Sequence, residues 1–195
     1  SAQRNIGYQR SKGKYLLFLD SDMTIHNYLL THCVELIEMN DYSALYIPEK
    51  IVGEGFWIKV RDFERSFYNG TRIDAVRLVR RDHYVNFDED LTGVEDWDWD
   101  RRILGSKGMS PYPLYHHEDF HLKHYLSKKA YYGKWFAEYN RRYPNAPELS
   151  IKYRLFGVFF EKGKWKEVLK HPFLYICVIG LKLLTAISCK IEGGK

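Results

Sequence analysis

Asp20 and Asp22 stand one residue apart at the end of an apolar run, in "YLLFLDSDMTI", residues 15 to 25. Two carboxylates at that spacing serve two quite different chemistries. The first can attack a phosphoryl group while the second acts as acid, with Thr24 beside them. Alternatively, the pair can hold a hard divalent cation, Mg2+ or Mn2+, against the oxygens of a diphosphate. Asp20, Asp22 and Thr24 satisfy both patterns. An Asp-rich turn without either chemistry is the bland alternative.

Two more clusters carry chemistry-bearing residues. "TGVEDWDWDRR" crowds Glu95, Asp96, Asp98 and Asp100 together. Like charges this close need an offset from Arg101, Arg102, a helix N-terminus or a metal. Crowding also raises the pKa of at least one carboxylate, which suits a general base. On composition alone, a solvated helix start fits as well. "YHHED" supplies His116 and His117, either of which is a candidate metal ligand through one imidazole. A His pair by itself is more often structural or exposed.

The elements that position these groups follow from periodicity. Residues 1–12 have helical spacing, with Gly13 as a natural stop. "KYLLFLD" reads as a fully buried strand, which puts Asp20 and Asp22 at its carboxyl end, where open α/β sheets place ligands. "NYLLTHCVELIEMN" reads as a helix with Asn27 as its cap. "SALYIPEKIV" reads as one strand, and Pro48 makes it an edge or a strand end. This strand–helix–strand order suggests a βαβ unit. "GFWIKVRDFERSFYNG" reads as a helix, "RIDAVRLVRRDHYV" as a short strand and turn, and "DLTGVEDWDWDRRILGSKG" as a loop then a helix, ended by Gly105 or Gly108. Glu95 and Asp96 would lie in that helix's first turn, where carboxylates suit the dipole. "SPYPLYHHED" is a short strand running into the His pair. "LKHYLSKKAYYGKWFAEYNRRYP" reads as one long amphipathic helix closed by Pro144.

A chain of 195 residues is most simply one domain with a real core. Hydrophobic content of 45% and charged content of 28% are ordinary globular values. The net charge of +5 is unevenly placed. "KHYLSKKAYYGKWFAEYNRR" is basic and aromatic, a pattern that suits nucleic acid, phospholipid headgroups or a phosphorylated lipid, or a solvated helix face with its aromatics turned inward. Cys33, Cys177 and Cys189 have no metal spacing and no disulfide framework, which argues for reduced thiols and a cytosolic setting. The polar N-terminus reads as a helix and not as an apolar leader.

The C-terminal part differs. Residues 172–189, "PFLYICVIGLKLLTAISC", carry one charge, Lys182. A spanning helix needs about 20 apolar residues, and a central Lys costs about 3 kcal/mol on insertion scales. The expectation is therefore an interfacial helix with Lys182 snorkelling, behind the basic residues Lys162, Lys164, Lys166 and Lys170. A helix packed on the protein's own core is the alternative.

A haloacid dehalogenase-type phosphatase would need a downstream Ser or Thr and an acidic loop, each after an apolar strand. "GVEDWDWD" follows "NFDEDLT", which is no such strand. By contrast, "RNIGYQRSKGKYLLFLDSDM" resembles the family 2 glycosyltransferases of GT-A fold on Arg4, Asn5, Gly7, Gly13, Asp20 and Asp22. "DAVRLVRRDHYVNFDEDLTGVEDWDWDRRILGSKG" resembles their second signature on Phe87, Asp88, Glu89, Leu91, Glu95, Asp96, Asp98, Arg102 and Gly108. Val94, inserted between Gly93 and Glu95, and Asn86, where Gly is frequent, depart from the pattern without removing a carboxylate. "LSKKAYYGKWFAEY" resembles a helix of members that act on lipid-linked acceptors.

This resemblance, over about residues 2–145, implies an α/β chain. The expected form is a partial GT-A (Rossmann-like) mixed sheet flanked by helices, with a C-terminal amphipathic helical segment. The expected division is 1–145 for the metal and acceptor side and 146–195 for the helical segment. The nucleotide-binding half of the family precedes the Arg-Asn-x-Gly helix, where this chain starts, so the chain is expected to be the acceptor-side portion and to self-associate. The resemblance implies a metal-dependent, inverting transfer from a nucleotide sugar to a glycan or lipid-phosphate acceptor. Mg2+ or Mn2+ would be held by Asp20 and Asp22, with Asp22 the more direct ligand and His116 or His117 as a third. Arg4, Asn5 and Arg102 would join Asp20 and Asp22 around the donor diphosphate. Asp96 would be the general base, supported by Glu95 and Asp98. Residues 162–190 would touch the cytoplasmic face of a membrane, with no nucleic-acid partner. The phosphatase and a non-catalytic membrane-binding fragment remain the alternatives.

Overall fold

The computed structural model describes residues 1–193. It is a mixed α/β chain with two small sheets rather than one, flanked by helices. In the first sheet, β1 (Tyr15–Leu17) pairs antiparallel with β5 (Leu78–Arg80). β5 pairs antiparallel with β3 (Ala44–Tyr46), and β3 runs parallel to β6 (Lys107–Met109). The second sheet has β7 (Leu114–His117) in the middle, antiparallel to β2 (Met23–Thr24) and parallel to β4 (Glu49–Val52).

The expected βαβ crossover is present, with β5 inserted between its strands. α1 (Ala2–Arg10) leads into β1, and α2 (Leu29–Asn40) connects the β2 segment to β3. Successive residues of β5 face opposite sides. Leu78 packs with Leu29, Cys33 and Ile37 of α2, whereas Val79 packs with Leu16, Phe87 and Trp99. Trp99 stacks on Phe87 at 4.4 Å and donates its indole N–H to the Val85 carbonyl at 2.7 Å. That arrangement fixes α4 (Glu95–Arg102) against the sheet. Leu91, Val94, Tyr139 and Ala146 pin the start of α4 to α6 (Phe136–Arg142).

Several expectations shift, each for a local reason. The "KYLLFLD" strand spans only β1 and lies at the sheet edge, with Leu19 exposed, because β5 is its one neighbour among the described residues. "SALYIPEKIV" is two strands in two sheets. Pro48 has no N–H to continue a ladder, and β3 and β4 separate across it. Tyr28, not Asn27, occupies the N-cap of α2, without a side-chain cap bond. The long basic helix breaks into α5 (Leu122–Gly133) and α6. At the break, a Cβ on Gly133 would lie 3.1 Å from Cys189 Sγ, so the glycine permits α9 (Pro172–Gly193) to approach closely.

α9 follows a run of short helices, α7 (Val158–Phe160) and α8 (Trp165–Lys170). It packs on α3 (Phe56–Ser66) and α5, burying Val178 and Leu181. Lys182 does not snorkel. Its Nζ is 2.8 Å from Glu64 and 2.8 Å from the Tyr68 hydroxyl, inside the protein. The opposite face of α9 is open, with Phe173, Ile176, Leu184 and Ile187 exposed.

Candidate active site

The site begins with strand pairing. β2 and β7 pair so that Met23 faces His116, and the His117 N–H donates to the Asp22 carbonyl at 2.8 Å. This register carries His116 Nε2 to 3.3 Å from Asp22 Oδ2. The other ring nitrogen, Nδ1, is 3.3 Å from Glu49 Oε2 on β4. Its hydrogen bond to Glu49 raises the His116 pKa against the effect of burial. His117 points elsewhere: its Nε2 lies 2.9 Å from the Thr24 hydroxyl.

Glu49 is buried beneath this pair and anchors the site. Arg77 donates to it through Nε at 3.1 Å and through a second nitrogen at 2.5 Å, and Arg65 approaches at 2.6 Å. Burial alone would push the Glu49 carboxyl up, but Arg65, His116 and Arg77 hold it well below the usual carboxylate range.

Arg77 also reaches Asp20 Oδ2 at 3.4 Å, and Arg4 donates to Asp20 Oδ1 at 2.9 Å. The same Arg4 guanidinium donates to Asp96 from its other terminal nitrogen. A continuous charge chain thus runs Asp96–Arg4–Asp20–Arg77–Glu49–His116–Asp22. Burial raises Asp20, but Arg77 and Arg4 outweigh it and its pKa falls.

Asp22, Asp96, His116 and His117 line a cavity of about 710 Å3, and Glu49 and Arg77 form part of its wall. Asp20 is not in that lining. Its oxygens are spent on two arginines, so it positions Arg4 and Arg77 instead of facing the cavity. Asp20, the nucleophile that the phosphatase pattern would require, is thus bonded to two arginines, and the Thr24 hydroxyl is held by His117.

Besides Asp20, the expected site residues Arg4, Asn5, Glu95, Asp98 and Arg102 lie outside the cavity lining. Asn5 is buried and acts as a staple. Its amide donates to the Phe87 carbonyl at 2.9 Å and to Glu89 at 2.8 Å, while its oxygen accepts from the Phe87 N–H at 2.8 Å and the Tyr84 hydroxyl at 2.9 Å. Asp98 is buried, bonded to Arg102 at 2.7 Å and to the Tyr143 hydroxyl at 2.8 Å. Arg102 is thereby turned toward Asp98 and the Asn86 carbonyl. These residues hold α4 and its preceding loop in place. Glu95 lies beside Asp96 with one oxygen buried and unpartnered; burial first, and Asp96 second, raise its pKa.

Gly93 sets the approach to α4. It has φ +80°, and a Cβ there would lie 2.4 Å from the Tyr132 ring of α5. Gly93→Ala is expected to cost about 1–3 kcal/mol of stability from the left-handed backbone and the aromatic clash together. Chemical denaturation measures this directly, and an unchanged midpoint would contradict it.

Glu49, Arg65 and Arg77 escaped the sequence reading. A signal was present in "PEKIV", where a carboxylate takes an inward position of a strand whose other inward residue is Ile51. A buried Glu requires cationic partners. Which arginines supply them is visible only in three dimensions.

Among the described residues no group of three or more His, Cys, Asp or Glu side chains is gathered into a cation site. The cavity does present one carboxylate, Asp22, with one imidazole, His116. That donor set fits Mg2+ or Mn2+ of the kind that completes its shell with water and substrate phosphate oxygens. Asp20 and His117 do not fit as direct ligands in this arrangement.

Residues 1–92 match the model of glycosyl transferase family 2. A search of curated proteins gives no match. Among solved structures, S. aureus TarS is similar at 15% identity with a TM-score of 0.45, over 98% of this chain and 42% of that one. A structure of S. aureus TarS 1–349 is similar at 15% identity and a TM-score of 0.44, over 98% of this chain and 67% of that one. This chain thus spans less than half the length of the first TarS chain. Residues 1–92, which carry Arg4, Asp20, Asp22, Glu49 and Arg77, are thus similar to glycosyl transferase family 2.

Proposed function

We propose that the cavity is the metal and acceptor side of a glycosyltransferase site that moves a sugar from a nucleotide-sugar donor to an acceptor hydroxyl, with inversion. The observation that carries this reading is the meeting of Asp22, His116 and Asp96, from three distant parts of the chain, in the wall of one cavity. Asp22 and His116 would hold a divalent cation, which stabilises the negative charge of a leaving diphosphate when bound. Asp96 takes the proton from the acceptor hydroxyl as that oxygen attacks the anomeric carbon. Arg4 joins Asp96 to Asp20 and so keeps the base at a set distance from the metal side. The buried Glu49 orients His116 through Nδ1, leaving Nε2 for the cavity.

Calorimetry with Mn2+ tests the metal assignment. Asp22→Ala and His116→Ala should each weaken Mn2+ binding by at least about tenfold, whereas His117→Ala should leave it nearly unchanged. Equal affinity in wild type and in Asp22→Ala would remove the cation from this site.

We also propose that the open face of α9 rests on a membrane surface. Residues Pro172–Cys189 have a mean hydropathy of 1.9, and only 11% of them are buried. Phe173, Ile176 and Ile187 face outward, while Lys182 is tied inward to Glu64. A helix pinned by a buried ion pair on one face and apolar on the other suits an in-plane position. Ile176→Glu should reduce co-sedimentation with anionic phospholipid vesicles by about tenfold or more. Undiminished binding would place the contact elsewhere.

A further inference from the structure

The cavity extends past Asp96 to a second wall. That wall is built by Lys128, Lys129 and Tyr132 of α5, by Arg154, and by Leu183 and Ala186 of α9. The cations lining the cavity divide into two groups. Arg61, Arg65, Arg77 and Lys182 each meet a carboxylate: Arg61 pairs with Glu64 and Glu118, Arg65 and Arg77 with Glu49, and Lys182 with Glu64. Lys128, which is exposed, Lys129 and Arg154 form no ion pair among the described residues. Lys129 Nζ lies 5.5 Å from the centre of the Tyr125 ring. The Arg154 guanidinium lies 5.7 Å from both the Trp97 and Phe136 rings, and its one hydrogen bond among the described residues, to the Glu148 carbonyl, is long at 3.4 Å.

We propose that this wall binds a phosphate group of the acceptor, with Lys129 and Arg154 as its cationic ligands, so that the acceptor is a phosphate-bearing molecule. The inference rests on the glycosyltransferase reading and supplies its acceptor class.

Position and charge support it. Trp97, which stacks under Arg154, directly follows Asp96 in sequence, and Tyr132 presses on Gly93 at the entrance to α4. An anion held by this wall would therefore bring the acceptor's attacking oxygen, a neighbouring hydroxyl in a polyol phosphate or a phosphate oxygen in a lipid phosphate, to the side of the cavity where Asp96 stands. Two cations turned toward aromatic rings instead of carboxylates retain their capacity to neutralise a dianion, and the Arg fork matches phosphate oxygens. Neutral sugar hydroxyls would not offset these charges. Burial first, and Arg61 second, depress the Lys129 ammonium to about 7, the state of a lysine lacking an anion at close range. The carboxylates nearby, Glu64 and Glu118, are already engaged by Arg61 and, for Glu64, by Lys182 and the Tyr68 hydroxyl. The apolar residues Leu183 and Ala186 beside the cations leave room for either a lipid phosphate or a polyol phosphate.

Calorimetry on the full chain tests this without turnover. The probes are farnesyl monophosphate against farnesol, and glycerol 3-phosphate against glycerol. At least one phosphate should bind about tenfold or more tightly than its neutral counterpart. Lys129→Gln should weaken that phosphate about ten- to a hundredfold, Arg154→Gln should act in the same direction, and Lys129→Arg should retain most of the affinity. Preference for the farnesyl compound would identify a lipid phosphate, and preference for glycerol 3-phosphate a polyol phosphate. Equal binding of each phosphate and its neutral partner overturns the proposal, as does full phosphate affinity in both Gln variants. Hydrolysis of a nucleotide sugar without acceptor reads the parent assignment separately, so a donor failure and a phosphate failure are distinct results.

Discussion

Asp96→Asn is expected to lower kcat for a hydroxyl acceptor by about 10² to 10⁴, with donor binding little changed. The substitution keeps the side chain's size and an oxygen that can accept from Arg4, so the Asp96–Arg4–Asp20 link survives in outline. What it removes is the capacity to take a proton. Asp22 and His116 approach the cavity from β2 and β7 and are untouched, so metal and diphosphate binding should persist. A steady-state comparison of kcat with donor KM separates these effects. Loss of donor affinity with kcat intact would make Asp96 a binding group, and near-normal turnover would dismiss it as the base. Glu95→Gln should have a smaller effect, because Glu95 is not in the cavity lining and acts beside Asp96.

The second large effect is on stability. Glu49→Ala leaves Arg65 and Arg77 buried without their carboxylate, and removing one partner of such a cluster costs about 3–5 kcal/mol. The urea midpoint should fall accordingly. His116 also loses the acceptor at Nδ1, so Mn2+ affinity should fall about ten- to a hundredfold even in conditions where the variant is folded. A variant of wild-type stability would show that Arg65 and Arg77 find other partners, such as Asp74 at 3.8 Å from Arg65.

The pH dependence follows from the same group. Glu49 has its folded pKa depressed below the ordinary Glu value of about 4.3. Its stabilising contribution is therefore fully present above that ordinary value and is lost as pH falls through the depressed folded value. Glu64, held by Lys182 and Arg61 against the effect of burial, behaves in the same way. The part of the urea midpoint that depends on Glu49 and Glu64 should be level near neutrality and decline below about pH 4.5, whereas Asp74, raised by burial to about 6, and His116, raised by Glu49, add their own pH dependence near neutrality. Glu49→Gln should flatten part of that decline, with Glu64 accounting for the rest.

Local signals in the sequence were enough to locate α1, the core of α2, and the carboxylates at the ends of β1 and α4. Helical spacing, an apolar run with an abrupt polar end, and acidic residues at a helix start are all properties of neighbours along the chain. They also brought Asp22, Asp96 and His116 forward as candidates, because each stands at the edge of an element. The roles within each cluster were not legible in the same way. Asp20 and Asp22 look equivalent in "DSD", yet Arg4 and Arg77 claim one while the cavity receives the other. Asp96 and Asp98 look equivalent in "EDWDWD". Two residues make about half a turn of helix, which sends Asp98 into a buried bond with Arg102 and Tyr143, and Asp96 toward the cavity.

Lys182 shows the same limit. Its sequence neighbours suggest a charge escaping to the surface, whereas Glu64, 118 positions earlier, draws it inward. Pro48 announced a break, but not that the two halves of the run would join different sheets. Glu49 anchors the site only because β4 lies beside β7 and the Arg65 and Arg77 side chains converge on it. Backbone propensity and hydrophobic period act over a few residues and can be read in order. Ion pairing between buried groups acts across space, and its partners are chosen by the packing that first brings the elements together.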